Sequence, residues 1–377
     1  MDERLIGSIS FESGRTVSTM ITRAPTDPDF KYVFVCGLAR SGTSVLGRNI
    51  GRLENCTGFK KSGALQDEGQ FLQDIYPVAA DLGGAGRFGF NLRAHRTETS
   101  ELLTPENVAR LRASWHAYWD KSKTICVEKT PGNLLMTRFL QAAFPNSYFI
   151  VVKRHPVPVS ISSQRWKINI TSLHRLFEHW LHCHKLFEQD KKFLKRVYEL
   201  SYEDYIADSA RYHAEIAAFI GTRVPEPPKE DEFYHVNEWR NPVGVRVPEH
   251  SMEEVSVAHN QKYFDRWSEL LRNSLFKSYY RYIAEKYEPR FAKWGYSLTD
   301  GGEVLRGGSK AYAVTGPLYC FGADVFYFCW RFGVRLKAHA KQGIKALLPQ
   351  FVLTRIRQAR EEASRNQKQA GALSRHA

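Results

Sequence analysis

At 377 residues with 43% hydrophobic content, the chain is long enough to bury a large core without covalent staples. Its six cysteines are dispersed and include no C-x-x-C pair, which argues against a disulfide framework or a zinc site and predicts a reduced, cytoplasmic setting. A formal net charge of +14 calls for anionic partners, and charge alone leaves nucleotide, nucleic acid, acidic glycan and anionic lipid all open.

Residues 1–30 mix acidic, basic and polar side chains without a continuous apolar stretch, so they read as an N-terminal extension without a signal peptide or anchor. Residues 32–36 read as a buried strand and 44–53 as a helix. Thr104-Pro105-Glu106 opens a second helix over 107–119. Strands come next at 124–127, 148–153 and 197–200, each rich in β-branched, aromatic or leucine residues. Between the last two, Leu173, Leu176, Phe177, Trp180, Leu181, Leu186 and Phe187 mark one face of a long helix over 170–193. Strands alternating with helices predict an α/β fold, a parallel sheet flanked by helices, with ligands at the carboxyl ends of its strands.

A proline- and charge-rich break at 225–231 precedes an irregular region at 242–259. The expected plan is a core domain over 31–300 and a basic, irregular or helical C-terminal extension over 301–377. From Glu303 onward, 13 Lys and Arg stand against 4 Asp and Glu, a net +9. Residues 311–323 are apolar and aromatic, but Pro317, Gly322, Asp324 and Arg331 interrupt the segment, leaving an uncharged run too short to span a bilayer. Two readings stand side by side. In one the segment, continuing through Arg331, Arg335, Lys337, Lys341 and Lys345, lies on an anionic membrane surface as a peripheral element. In the other it is a helical hairpin packed on the core.

The chemistry concentrates in two places. After the first strand, Gly37 and Gly42 stand where G-x-x-x-x-G-K-[ST] puts its glycines, a P-loop whose backbone N–H groups close around an anion at a helix N-terminus. The lysine position holds Thr43, which points away from a triphosphate bound with magnesium. The strand at 148–153 runs into Arg154-His155-Pro156, with Ser162 eight residues beyond Arg154. A guanidinium and a hydroxyl at those positions can clamp a second phosphate.

A strand followed by Gly37-Leu38-Ala39-Arg40-Ser41-Gly42-Thr43-Ser44, and then a strand ending in R-x-P with Ser at plus eight, resembles the sulfotransferases that use 3′-phosphoadenosine 5′-phosphosulfate (PAPS). The resemblance, of bacterial type and with motifs similar to tyrosylprotein sulfotransferases, implies that Arg40, Ser41, Gly42, Thr43 and Ser44 bind the 5′-phosphosulfate. Arg154 and Ser162 would then bind the 3′-phosphate. It also accounts for the missing lysine, since this co-substrate needs no metal.

Glu128-Lys129-Thr130-Pro131 resembles the family's D/E-K-x-P element, which gives Lys129 a role on the leaving phosphate, shared with Arg40. Side-chain alternation turns Glu128 away from Lys129, into structure. The segment Gln66-Asp67-Glu68-Gly69-Gln70 resembles the D-E-G-Q of bacterial members and makes Glu68 the expected general base, with Asp67 or His95 as alternatives. Lys262 and Tyr263 lie in a K/R-Y-x-x-x-W-like segment and are further nucleotide-binding candidates. Tyr202-Glu203-Asp204 resembles a structural Y-E-D element. His182-Cys183-His184 invites a metal reading, but helical geometry lets only one of the three face inward.

The expected function is sulfuryl transfer from PAPS to a hydroxyl or amine of an acceptor such as a glycan or glycolipid, with nucleic acid an unlikely partner. A P-loop kinase-like phosphotransferase, or a non-enzymatic basic protein binding membrane or nucleic acid, are the competing readings.

Overall fold

In a computed structural model, residues 30–164, 170–225, 257–299 and 311–347 are described. The chain runs β1 (Lys31–Gly37), α1 (Thr43–Ile50), β2 (Cys56–Gly58), α2 (Pro105–His116), β3 (Ile125–Lys129), α3 (Thr137–Ala143), β4 (Ser147–Lys153), α4 (Pro156–Gln164) and α5 (Leu173–Lys191). It continues through β5 (Val197–Ser201), α6 (Tyr202–Ala207), α7 (Ser209–Ile220), α8 (Val257–Asn273), α9 (Lys277–Ala292) and α10 (Ala311–Leu347). The N-terminal extension, most of the break at 225–231 and most of the irregular region at 242–259 lie outside the described residues, as does the end of the basic extension from 348 onward.

The five strands form one sheet in the order β2-β3-β1-β4-β5, with every neighbouring pair parallel. Four of them match the four apolar runs. The fifth, three-residue β2, is an edge strand too short to show a period.

Burial on both faces explains why the central strands β1 and β4 read as unbroken apolar runs. Along β1, Tyr32, Phe34 and Cys36 enter a core layer with Trp115, Phe144, Phe149 and Phe177. Val33 and Val35 enter the opposite layer with Leu46, Ile50, Ile150, Val152 and Ile216. The order places β1 beside β4 at the point where the connections diverge, one toward β2 and the other toward β5. The loops after these two strands therefore flank the crevice where an open α/β sheet takes its ligand.

α2 opens as the sequence predicts, with the Thr104 hydroxyl accepting from the Asn107 N–H and Pro105 in the first turn. α5 departs from the single-faced reading. His182 is exposed, yet Cys183 and His184 are both fully buried, because α5 is covered on more than one side. Cys183 lies against Gly89, whereas His184 stacks on Trp180 at 3.8 Å and meets Trp294 edge-on. Among the described residues no cluster of three metal-ligating side chains occurs.

α10 packs on the core along one side. Gly316 lies directly against the Tyr282 ring, Asp324 accepts from Ser172 at 2.6 Å and from Arg175 at 2.8 Å, and Arg331 donates to the Ile170 carbonyl. Among the described residues no helix is long and apolar enough to cross a membrane.

Candidate active site

The turn after β1 needs both of its glycines for reasons visible in the packing. A Cβ on Gly37 would sit 2.7 Å from the Val152 carbonyl oxygen, so any side chain there would push β4 away. Gly42 has φ +93°, and a Cβ there would lie 2.3 Å from the Tyr202 ring. Arg40 also takes a positive φ, 74°, an unusual conformation for a residue with a side chain. α1 then starts with no side-chain cap and no acid in its first turn, so its leading N–H groups and the positive end of its dipole face the loop. Ser41 Oγ and Arg40 Nε are buried there without a hydrogen-bond partner. Such orphaned polar groups cost about 1–3 kcal/mol each, a deficit that a phosphate or sulfate oxygen in the loop would remove.

Arg154 connects this loop to the end of β4. It is 4% exposed, with its guanidinium 4.3 Å from the Tyr202 ring centre and 5.6 Å from that of Tyr263. Nη1 donates to the Arg40 carbonyl at 2.7 Å, while Nε and Nη2 both donate to Asn260 Oδ1. Trp180 Nε1 fixes the Arg154 backbone carbonyl at 3.0 Å. Burial pushes this guanidinium below its ordinary pKa, offset in part by Tyr202 and Glu203. A buried cation of this kind is poised to gain from a dianion.

On the other flank of β1, Lys129 ends β3. Its ammonium donates to Glu68 Oε1 at 2.9 Å and to the Gln66 carbonyl at 3.2 Å, and both side chains of the pair are at least nine-tenths buried. Gln70 Nε2 holds the other Glu68 oxygen at 2.5 Å. The lysine reaches this position by lying along α1 at Gly47, where a Cβ would come within 2.8 Å of Lys129 Cβ. Ser44, at the start of α1, approaches Gln66 at 3.5 Å. A phosphate-type loop, a buried ammonium and a buried carboxylate thus converge at the carboxyl ends of β1 and β3.

A family model described as "Sulfotransferase family" matches residues 33–226, more than half of the chain. The chain belongs to the sulfotransferase family. No curated protein sequence matches it. Among solved structures, it is similar to a sulfotransferase domain from the curacin biosynthetic pathway, at 14% identity over 72% of this chain and 99% of that one, with a TM-score of 0.41. A sulfotransferase from Alicyclobacillus acidocaldarius matches at 16% identity over 54% of this chain and 87% of its own, TM-score 0.34. A mouse sulfotransferase complexed with PAP matches at 15% identity over 68% and 88%, TM-score 0.29.

Within this sulfotransferase, several of the expected site residues lie elsewhere or point elsewhere. The Ser162 hydroxyl donates to the Pro158 carbonyl at 2.5 Å, inside its own helix. Asn260 takes the place beside Arg154 instead, with its amide donating to Glu203. The sequence showed this asparagine only as a neighbour of Lys262; its role depends on α8 returning to β4 from more than a hundred residues away. Tyr263 is buried against Arg154, whereas Lys262 is exposed. Asp67 accepts from the Ser62 N–H and hydroxyl, and His95 is bonded to Asp190 at 2.7 Å; neither meets Lys129.

Glu128 faces the opposite side of β3 from Lys129 and is fully buried. It accepts from the Gly69 N–H at 2.9 Å, from the Thr130 hydroxyl and from Asn133, so this sulfotransferase pins the Glu68 loop to the sheet from beneath. Trp115 Nε1 holds the Gly69 carbonyl from the far side. Burial pushes the Glu128 carboxyl up to about 7, with its hydrogen bonds opposing. A folded-state pKa raised above the unfolded one means that the native protein binds the extra proton. Stability from this group is therefore full below about pH 4.5 and is lost as pH rises toward 7, by about 3 kcal/mol in all. Urea titrations across that range should show the decline in wild type and a flatter profile in Glu128→Gln. An unchanged slope in the variant would remove Glu128 as its source.

Proposed function

We propose that the enzyme transfers a sulfuryl group from PAPS to a hydroxyl or amine of an acceptor, a glycan or glycolipid, by in-line displacement. The observation that carries this reading is the buried Lys129–Glu68 pair beside a phosphate loop that has Thr43 in place of the usual lysine. The orphaned polar atoms of Arg40 and Ser41 support it, because they fit an anion seated in the loop.

In this reading the residues from Arg40 to Ser44 hold the 5′-phosphosulfate, and Arg154, with Tyr263 beside it, the 3′-phosphate. The donor supplies a sulfur atom bonded through oxygen to a phosphate that leaves as adenosine 3′,5′-bisphosphate. Glu68 takes the proton from the acceptor as its oxygen or nitrogen forms the new bond to sulfur. Lys129 and Arg40 stabilise the negative charge that gathers on the departing phosphate oxygen. The ion pair gives these events an order: the donor draws Lys129 toward its bridging oxygen, which frees the Glu68 carboxylate to act as a base.

Calorimetry with adenosine 3′,5′-bisphosphate tests the donor assignment. Wild type should bind without magnesium, and Arg154→Ala should weaken binding by about ten- to a hundredfold, the worth of hydrogen bonds to a charged group. No binding by wild type, or equal binding by the variant, overturns it. Labelled-sulfate transfer to a panel of glycans, glycolipids and peptides then addresses the acceptor.

A further inference from the structure

The side of α10 turned away from the core is apolar. Leu318, Phe321, Val325, Phe328, Phe332 and Leu336 are each between 45% and 69% exposed. Steps of three and four residues line them up on one helix face, in a stripe about 27 Å long. Tyr319, Phe326 and Trp330 widen it. A continuous exposed stripe of this kind marks an interaction surface, in contrast to scattered single apolar side chains.

Beside the stripe lies an open cavity of about 400 Å³ between α10, the start of α5 and the turn at Phe88–Phe90. Three cations line it, Arg87, Arg175 and Arg331, together with Phe90, Val325 and Phe328. Two of these apolar residues belong to the stripe, so the cavity is cationic on one wall and continuous with the apolar face on the other. Asp324, its acid, is already bound by Arg175 and Ser172. The chemistry suited to it is a phosphate attached to a hydrocarbon chain.

We propose that α10 docks the enzyme on an anionic phospholipid surface, with the stripe among the acyl chains and the arginine-lined cavity at the level of the headgroup phosphates. Charge complementarity selects this occupant. α10 carries Arg331, Arg335, Lys337, Lys341 and Lys345 against Asp324 alone, within a chain of net charge +14. A second copy of the chain would bring the same positive excess to the contact. An amphipathic helix with basic residues lies in the membrane interface without crossing it, in keeping with the absence of a spanning helix among the described residues. The small cavity shared by Gln70 and Phe88 joins the turn that carries Arg87 to the side chain holding Glu68, so the docking face and the base belong to one packed region.

Co-sedimentation of the full chain with vesicles, in the absence of nucleotide, tests this independently of the donor assignment. Vesicles of phosphatidylcholine with one-third phosphatidylglycerol should bind about tenfold or more tightly than phosphatidylcholine alone. The double variant Phe321→Asp/Phe332→Asp should lose that binding by about tenfold or more, with an unchanged thermal midpoint because both side chains are on the surface. Arg87→Gln should reduce the preference for the anionic vesicles and leave residual binding to both. Absent vesicle binding, or binding unaffected by the phenylalanine substitutions, overturns the proposal. So does a dimer in light scattering that the double variant converts to monomer while wild type ignores vesicles, since a second copy would then be the occupant.

Discussion

Replacing Lys129 with alanine is expected to lower kcat for sulfuryl transfer by about 10²–10³-fold, the usual cost of removing a donor aimed at charge that develops in the transition state. The ammonium is 2.9 Å from Glu68, and its side chain lies against α1 at Gly47. Its attraction for the departing phosphate oxygen grows as the bond to sulfur breaks, and this difference is why the effect should appear in kcat more than in KM. Stability has to be separated from catalysis, because removing one partner of a buried ion pair costs about 3–5 kcal/mol. Lys129→Met combined with Glu68→Gln removes both charges and should recover most of the thermal midpoint without recovering turnover. A folded Lys129→Ala enzyme with wild-type kcat would exclude the lysine from the chemical step.

Glu68→Gln is expected to reduce turnover by about 10²–10⁴-fold, the range for a positioned general base. Glutamine keeps the shape of the side chain and an oxygen for Lys129, so the loop should stay in place while the proton acceptor is gone. Steady-state kinetics of wild type and variant, run beside thermal melts of both, make the measurement. Full turnover by Glu68→Gln, or an equal loss in Asp67→Asn or His95→Gln with Glu68 intact, would move the base elsewhere. Asp67 closes its own turn with Ser62 and His95 is bonded to Asp190, which is why the proposal rests on Glu68.

Much of the fold was legible because it rests on local pattern. A central parallel strand is buried on both faces, and β1, β3 and β4 announced themselves in that way, while the edge strand β5 showed through its Val197, Tyr198 and Leu200. β2 did not, since three residues at a sheet edge carry no period. The glycine turn after β1 was legible because its two glycines answer to backbone geometry, which sequence spacing records directly. Asn260 was not, as its position beside Arg154 is set by the packing of α8 against α4 and not by any feature of its own neighbourhood. Ser162 shows the converse: its spacing from Arg154 suggested a shared phosphate, while the helix offered its hydroxyl a nearer carbonyl. The double-sided character of α10 was hidden for a similar reason. An apolar run states that burial is favourable but not which half of the helix the core will use.

The hydrogen bond from Arg154 to the Arg40 carbonyl makes the two ends of the site a single mechanical unit. Arg40 holds a backbone conformation that costs about 1–2 kcal/mol for a residue with a side chain, and the guanidinium arriving from β4 is the latch that keeps it there. Whatever pulls on Arg154 is therefore felt at the loop, so an anion bound at one end alters how well ordered the other end is. Substitutions at Arg40 and Arg154 will not act as independent losses: the second to be made removes less than it would alone, because the latch and the strained turn it holds fail together.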